Sequence, residues 1–312
     1  MRKREYWLVS TDHLEKHLLF KDTEDFRVGM NYVAVQTHCS GVSMLAFVLM
    51  SNHLHFVMEG TRAQVECFIT GLKTAYSRYY YNKYRMQELL RRNGVDIRPV
   101  WPKDEALERA IAYVQMNCVA ANICSWPTIY AWGTGACFFN RTPKGMAGAS
   151  VSSGSDNANE AGPSSPKGRA LASMSKRERY RLLHSKLELP GEWLVGEDGY
   201  ILPQSYVCMD WAENLYRTPK RMNYFLNSSS KAKVRLESGE DNLPSFRDQV
   251  IAAALPDLCQ SLFRKREMKE LEEEQLIELM RQLRYRFSAN VNQIARVMGL
   301  TYEHAAQMMD QA

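Results

Sequence analysis

The apolar residues of this 312-residue chain change period along its length, and each change predicts an element. Residues 6–10, "YWLVS", begin as a strand. Residues 23–38 carry an acidic first turn and helical apolar spacing, which predicts a helix. Ser43–Met50 and His53–Glu59 are apolar, β-prone runs on either side of a Ser51–Asn52 turn and are expected to pair as strands. Thr61–Tyr84 has the length and spacing of a long helix, with Thr61 at the capping position. Residues 95–100, "VDIRPV", suit a short edge strand, where a proline is tolerated. Asp104–Ile123 is expected to form one helix with Asp104 as its N-cap.

Strand, helix, strand, strand, helix, strand is the order of a split βαβ unit. It predicts an α+β, ferredoxin-like domain over residues 1–140, with an antiparallel sheet and helices on one face. Residues 142–173, "TPKGMAGASVSSGSDNANEAGPSSPKGRALAS", hold almost no large apolar side chain. Such a segment cannot bury enough surface to offset its ordering entropy, so 141–174 is expected to be a flexible linker. Beyond it, 175–312 is expected to be mostly helical, although 175–236 has a mixed pattern. Residues 246–286 show helical periodicity, and 264–286 alternate charges around a Leu/Ile stripe, the pattern of a solvated amphipathic helix. Residues 291–311, "VNQIARVMGLTYEHAAQMMDQ", fit a helix-turn-helix. Ala295 is small where two helices approach, Gly299 stands where the turn needs positive φ, and Thr301 caps the second helix. Glu303, His304 and Gln307 would then face outward.

No apolar run approaches the roughly twenty residues of a membrane span, and no apolar signal core follows the basic residues at 2–4. Seven cysteines without a CxxC pair argue against a disulfide framework or a zinc ribbon, which fits a reducing cytoplasm. The net charge of +5 decides little by itself. Residues 62–98, however, hold eight basic side chains against three acidic ones, interleaved with Tyr76, Tyr79, Tyr80, Tyr81 and Tyr84. Cations among aromatics suit a phosphate backbone with unstacked bases. An amphipathic helix whose tyrosines face the core has the same pattern, so both readings stay open.

The chemistry concentrates in "MSNHLHFVME", residues 50–59. In a strand His53 and His55 point to one face, and two converging imidazoles are half of a divalent-metal site. Two half-buried polar residues would look the same. In the helix predicted over 104–123, Tyr113 and Asn117 are four apart and share a face.

Taken together, His53-Leu54-His55, then Tyr113-Val114-Gln115-Met116-Asn117-Cys118-Val119, then "YAWGTGACFF" at 130–139, resemble the single-tyrosine HUH transposases, in the branch of bacterial REP-associated tyrosine transposases. The likeness covers residues 1–140. It departs from the family's pattern at Cys118, where a proline is usual, and in "VDIRPVWPKD", which keeps only Trp101 of an expected segment. The resemblance implies a DNA nicking and joining enzyme, bacterial and nucleoid-associated. Tyr113 would be the nucleophile, forming a 5′-phosphotyrosine and leaving a 3′-OH. His53, His55 and Asn117 would hold Mg²⁺ or Mn²⁺. The substrate would be single-stranded or hairpin DNA, and the enzyme a monomer or a homodimer.

Candidate DNA contacts are Arg78, Lys83, Arg85, Arg91 and Arg92 in the basic stretch, and Thr301, His304 and Gln307 on the helix-turn-helix, which would reach duplex DNA. Two other readings remain: a catalytically inactive, domesticated nucleic-acid-binding protein, and an RNA-binding regulator.

Overall fold

The computed structural model describes residues 5–14, 16–86, 89–121, 123–140, 168–230 and 246–310. A four-stranded antiparallel sheet is built from β1 (Tyr6–Thr11), β2 (Ser43–Leu49), β3 (Leu54–Glu59) and β4 (Val95–Val100), in the order β2-β3-β1-β4. β1 runs against β3 with Tyr6 opposite Glu59 and Ser10 opposite His55. The four strands and the two long helices fall where the sequence pattern places them. Helix α1 (Thr23–Ser40) opens with a capping box between Asp22 and Asp25, and α2 (Arg62–Tyr84) with one between Thr61 and Gln64. These boxes satisfy backbone N–H groups that a helix start leaves without partners. A short α3 (Leu89–Arg92) leads into β4.

Helices cover both faces of the sheet, against the expectation of one. Phe56 meets Phe68 of α2, with ring centroids 5.1 Å apart. Its neighbour His55, on the opposite face, meets Tyr113 of α4 (Ala106–Gln115) at 5.6 Å. The cause lies in the strands. Every residue of β2 after Ser43, and of β3 before Glu59, is buried. A strand apolar on both sides needs a layer on each.

The helix expected over 104–123 is shorter and divided. Asp104 does not cap it: Asp104 and Glu105 both adopt left-handed backbone, φ 54° and 61°, and no side chain caps the start. The helix yields at Met116, and α5 (Asn117–Ala120) follows. Asn117 Nδ2 donates to Tyr113 O at 2.8 Å, a side chain bonding back to its own helix as short polar residues do.

Residues 130–134 lie along the outer edge of β2. Leu49 N donates to Trp132 O at 2.8 Å, and Thr134 N to Phe47 O at 3.0 Å. Trp132 stacks on Phe26 with ring centroids 4.8 Å apart. Gly133 permits this approach, since a Cβ there would sit 2.7 Å from Phe47 O. The segment thus covers a sheet edge that would otherwise offer unpaired backbone.

Residues 141–167 of the expected linker lie outside the described residues. Residues 168–173 are ordered: β5 (Arg169–Ala170) pairs with β6 (Leu194–Val195). Nor does 175–230 belong with the C-terminal helices. Its helices α6 (Lys176–Leu183), α7 (Met209–Tyr216) and α8 (Pro219–Ser228) share one core with the sheet, through Leu183, Trp193, Tyr206, Tyr216 and Phe225. Buried Asn31 of α1 fastens it, donating to Leu182 O and Gly199 O and accepting from Ile201 N. A domain boundary drawn from composition misses this, because long-range packing leaves no local signature.

A second core holds α9 (Asp248–Phe263), α10 (Glu273–Phe287), α11 (Val291–Met298) and α12 (Tyr302–Asp310). The helical stretch expected over 246–286 breaks after Phe263, where Arg264 takes φ 58°. Gly299 closes α11 at φ 71° and Thr301 caps α12, both as the sequence suggests.

The tyrosines of α2 other than the exposed Tyr81 follow the packing reading. Tyr76 and Tyr80 are buried and donate to Leu19 O and Leu18 O; Tyr79 and Tyr84 donate to the buried carboxylate of Asp25. Lys83 sits among three carboxylates, 2.7 Å from Asp22, 2.9 Å from Glu24 and 2.9 Å from Asp25. Burial alone would lower its pKa, but hydrogen bonds to Asp22, Asp25 and Glu24 outweigh that and hold it well above normal. This ammonium is committed to the fold rather than to DNA. Replacing it (Lys83→Ala) leaves Asp25 buried without its cation. A loss of about 2–3 kcal/mol is expected, read as a lowered midpoint in urea at unchanged slope.

Candidate metal and nucleophile site

The site grows from the β1–β3 register. Because Ser10 stands opposite His55, continuing both chains brings residues 12–13 beside 52–53. His13 lands there. Its ring stacks on His53 with centroids 3.7 Å apart and meets His55 at 6.4 Å. The ligand-capable nitrogens of His13, His53 and His55 all lie within 4.8 Å of one another.

Hydrogen bonds orient two of these rings. His53 Nδ1 lies 2.8 Å from Asn52 Oδ1, and His55 Nδ1 lies 2.7 Å from Ser10 Oγ. The amide oxygen can only accept, so His53 carries its proton on Nδ1 and presents Nε2 as a lone pair, as metal-binding histidines do. Both Nε2 atoms are buried. Two nitrogens on one ion at about 2.1 Å stand about 3.4 Å apart in a tetrahedral shell. Closing the cluster on a cation therefore requires its nitrogens to draw together, and His13, the exposed ring stacked on His53, is the one with room to move.

The turn carrying these groups is held from several sides. Asn52 O accepts from Leu14 N at 3.1 Å, Asn52 Nδ2 donates to Leu14 O at 2.9 Å, and Ser51 O accepts from Leu19 N at 2.7 Å. Ser51 Oγ donates to Asp248, the first residue of α9. Asp248, 1% exposed, also accepts from Gln293 Nε2 at 3.0 Å and Arg296 Nε at 3.0 Å. One buried carboxylate thus ties the histidine turn to the C-terminal helices.

Tyr113, in the last turn of α4, presents its ring edge-on to His55, at 85° between planes. Burial raises its pKa, Arg98 opposes the shift and Asp96 adds to it; the net change is upward. Its other side lines a groove of about 1200 Å³ with Trp101, Lys103, Arg109 and Phe225. Asn117 lines a separate cavity with His13 and His53. Its Nδ2 is turned to helix carbonyls, which leaves Oδ1 as its donor towards a cation.

The site residues read from the sequence are only partly gathered here. His53, His55, Tyr113 and Asn117 come together. Arg78 is exposed, and Arg85 caps the end of α2; both belong to the helix across the sheet from His55, as does Lys83. Arg91 and Arg92 are exposed on α3, whose following residues Asn93 and Gly94 hydrogen-bond Asp12, next to His13. Thr301 caps α12, and His304 and Gln307 are exposed on it. His13 was not legible, because a lone histidine after a strand gains meaning only once the pairing register is known.

No protein-family model matches the chain, and no curated protein is significantly similar to it. Among the described residues no helix is long and apolar enough to cross a membrane.

A cation that binds the folded chain raises its melting temperature by mass action. Millimolar Mn²⁺ is expected to raise the Tm of the chelator-treated protein. His13→Ala and His53→Ala should each remove most of that rise, measured by differential scanning fluorimetry.

Proposed function

We propose that the chain is a metal-dependent, HUH-type DNA nicking and strand-joining enzyme with Tyr113 as its nucleophile. The sheet order and crossovers suit the ferredoxin-like scaffold of such enzymes, here with a second helical layer. The observation that carries the reading is the phenol of Tyr113 set against the His55 edge of a three-histidine cluster. The motif resemblance supports the pairing of these two distant segments, and the third imidazole comes from outside the motif.

His13, His53 and His55, with Asn117 at their side, would hold the cation. Imidazoles suit Mn²⁺ or Zn²⁺ better than Mg²⁺, which prefers oxygen. Such an ion supplies positive charge and orientation to a scissile phosphate. The chain's own part is to place the nucleophile. α4 fixes the Tyr113 ring beside His55, which would bring the nucleophile to the edge of the cation site. The tyrosine gives its proton to solvent, the new O–P bond forms, and the leaving 3′ oxygen takes up a proton. The resulting 5′-phosphotyrosine keeps the bond energy for rejoining, with no nucleotide consumed. The α11–α12 pair, with the spacing of a helix-turn-helix, would supply a further DNA contact.

The test uses labelled single-stranded hairpins from sequence flanking the gene, with Mn²⁺. A denaturant-stable protein–DNA adduct is expected with the intact chain and none with Tyr113→Phe, His53→Ala or added chelator. Tight binding without an adduct would favour a domesticated binding protein. Preference for the same hairpin made as RNA would favour the regulator.

Burial holds the Tyr113 phenol above its usual pKa in the metal-free chain. In chelator-treated protein, the phenolate absorbance lost in Tyr113→Phe is expected to appear at higher pH than that of a free tyrosine, measured by ultraviolet difference titration.

A further inference from the structure

The cavity that Asn117, His13 and His53 line is closed on its far side by the C-terminal helices, through Asn290, Asn292 and Tyr302, with Arg296 behind. Its volume is about 470 Å³, within the range of small-ligand pockets. We infer that this cavity holds one unpaired nucleotide of the DNA strand beside the three-histidine cluster, with Asn292 and Tyr302 as its binding residues. The inference rests on the DNA-nicking reading above and names what the C-terminal helices contribute to that site.

Three features of the lining point to a nucleotide. First, the amide of Asn292 stands at the cavity uncommitted, whereas those of Asn52, Asn117 and Asn290 already make bonds within the chain. An asparagine amide carries a donor and an acceptor in one plane, the pairing that matches the edge of a base. Second, Tyr302 is 47% exposed at the cavity, an aromatic surface on which a base can stack. Third, no aspartate or glutamate lines the cavity, so no carboxylate of the lining repels a phosphate.

The wall is rigid. Arg296 is clamped by Asp248 at 3.0 Å through Nε and 3.4 Å through Nη2, and the same carboxylate accepts from Ser51, two residues before His53. Gln249 Nε2 adds a bond to Phe20 O at 2.7 Å. The two walls of the cavity, from opposite ends of the chain, are therefore held in register by buried polar bonds. Arg296 acts as a positioning residue, since its charge is already compensated. Asn292 is exposed, and its side chain makes no hydrogen bond among the described residues, so replacing it tests recognition rather than folding.

The experiment uses the full chain and a fluorescein-labelled 20-nucleotide single-stranded DNA pool with Mn²⁺, read by anisotropy. Asn292→Ala and Tyr302→Ala should each weaken binding about five- to tenfold, in keeping with the loss of one base contact. Tyr285→Ala serves as control. That tyrosine is 86% exposed on the same helical unit and lies outside the cavity lining; its loss should leave binding unchanged. With a cleavable hairpin, removing the base beside the cut should erase the difference between the intact chain and Tyr302→Ala.

Binding equal to the intact chain in both cavity variants, or an equal loss in Tyr285→Ala, would overturn the inference. Adduct formation alongside either result would leave the nicking reading standing. Binding that depends on Asn292 and Tyr302 without any adduct would keep the nucleotide cavity and remove the nicking reading. An intact chain that binds no DNA would end both.

Discussion

The antiparallel register of β1 on β3 is the constraint on which the site depends. Setting Ser10 opposite His55 gives that imidazole a hydroxyl partner and carries His13 to the side of His53. A slip by one residue would turn His55 into the α2 layer and Phe56 towards Tyr113, because strand side chains alternate. The surrounding apolar pattern forbids the slip. β2 and β3 are buried on both faces, and each face is shaped to its own helical layer. Packing energy spread over the whole sheet thus specifies the position of a few polar atoms.

Burial gives those polar atoms their character. His53 and His55 sit under the C-terminal helices and α4, each with Nδ1 engaged, so ring orientation is decided before any cation arrives. Preorganisation of this kind lowers the ordering cost of binding. The same logic holds on the other side of the sheet, to a different end. There Asp25 gathers Tyr79, Tyr84 and Lys83 into a buried polar knot that fastens α1 to α2. Both are clusters of titratable groups. The first is built around imidazoles beside a cavity, the second around a buried carboxylate whose charge Lys83 balances.

The C-terminal helices change role once the fold is seen. Their own core makes them a separate packing unit. Yet Asp248 reaches out of that unit to Ser51, and Asn290, Asn292 and Tyr302 face the histidines across a shared cavity. Residues 168–230 show the same tendency, wrapping the sheet through Asn31 and sharing its core. The chain is more integrated than its composition suggests, since glycine- and serine-rich sequence marks where packing stops locally and says nothing of where later residues return.

The sequence by itself determined the strands, the two long helices and the Thr61 cap of the second, because these follow from short-range periodicity and local hydrogen bonding. It also marked His53, His55, Tyr113 and Asn117, whose meaning lies in spacing along one strand and one helix. Only the tertiary structure decided the rest. It put α4 on the second face of the sheet, brought in His13 through a register no local pattern encodes, buried Tyr76 and Tyr80, tied Lys83 to three carboxylates, and closed the cavity with Asn292 and Tyr302. Each of these outcomes depends on contacts between residues tens to hundreds of positions apart. Such contacts form when buried area and satisfied polar groups across the whole chain outweigh the entropy of bringing distant segments together.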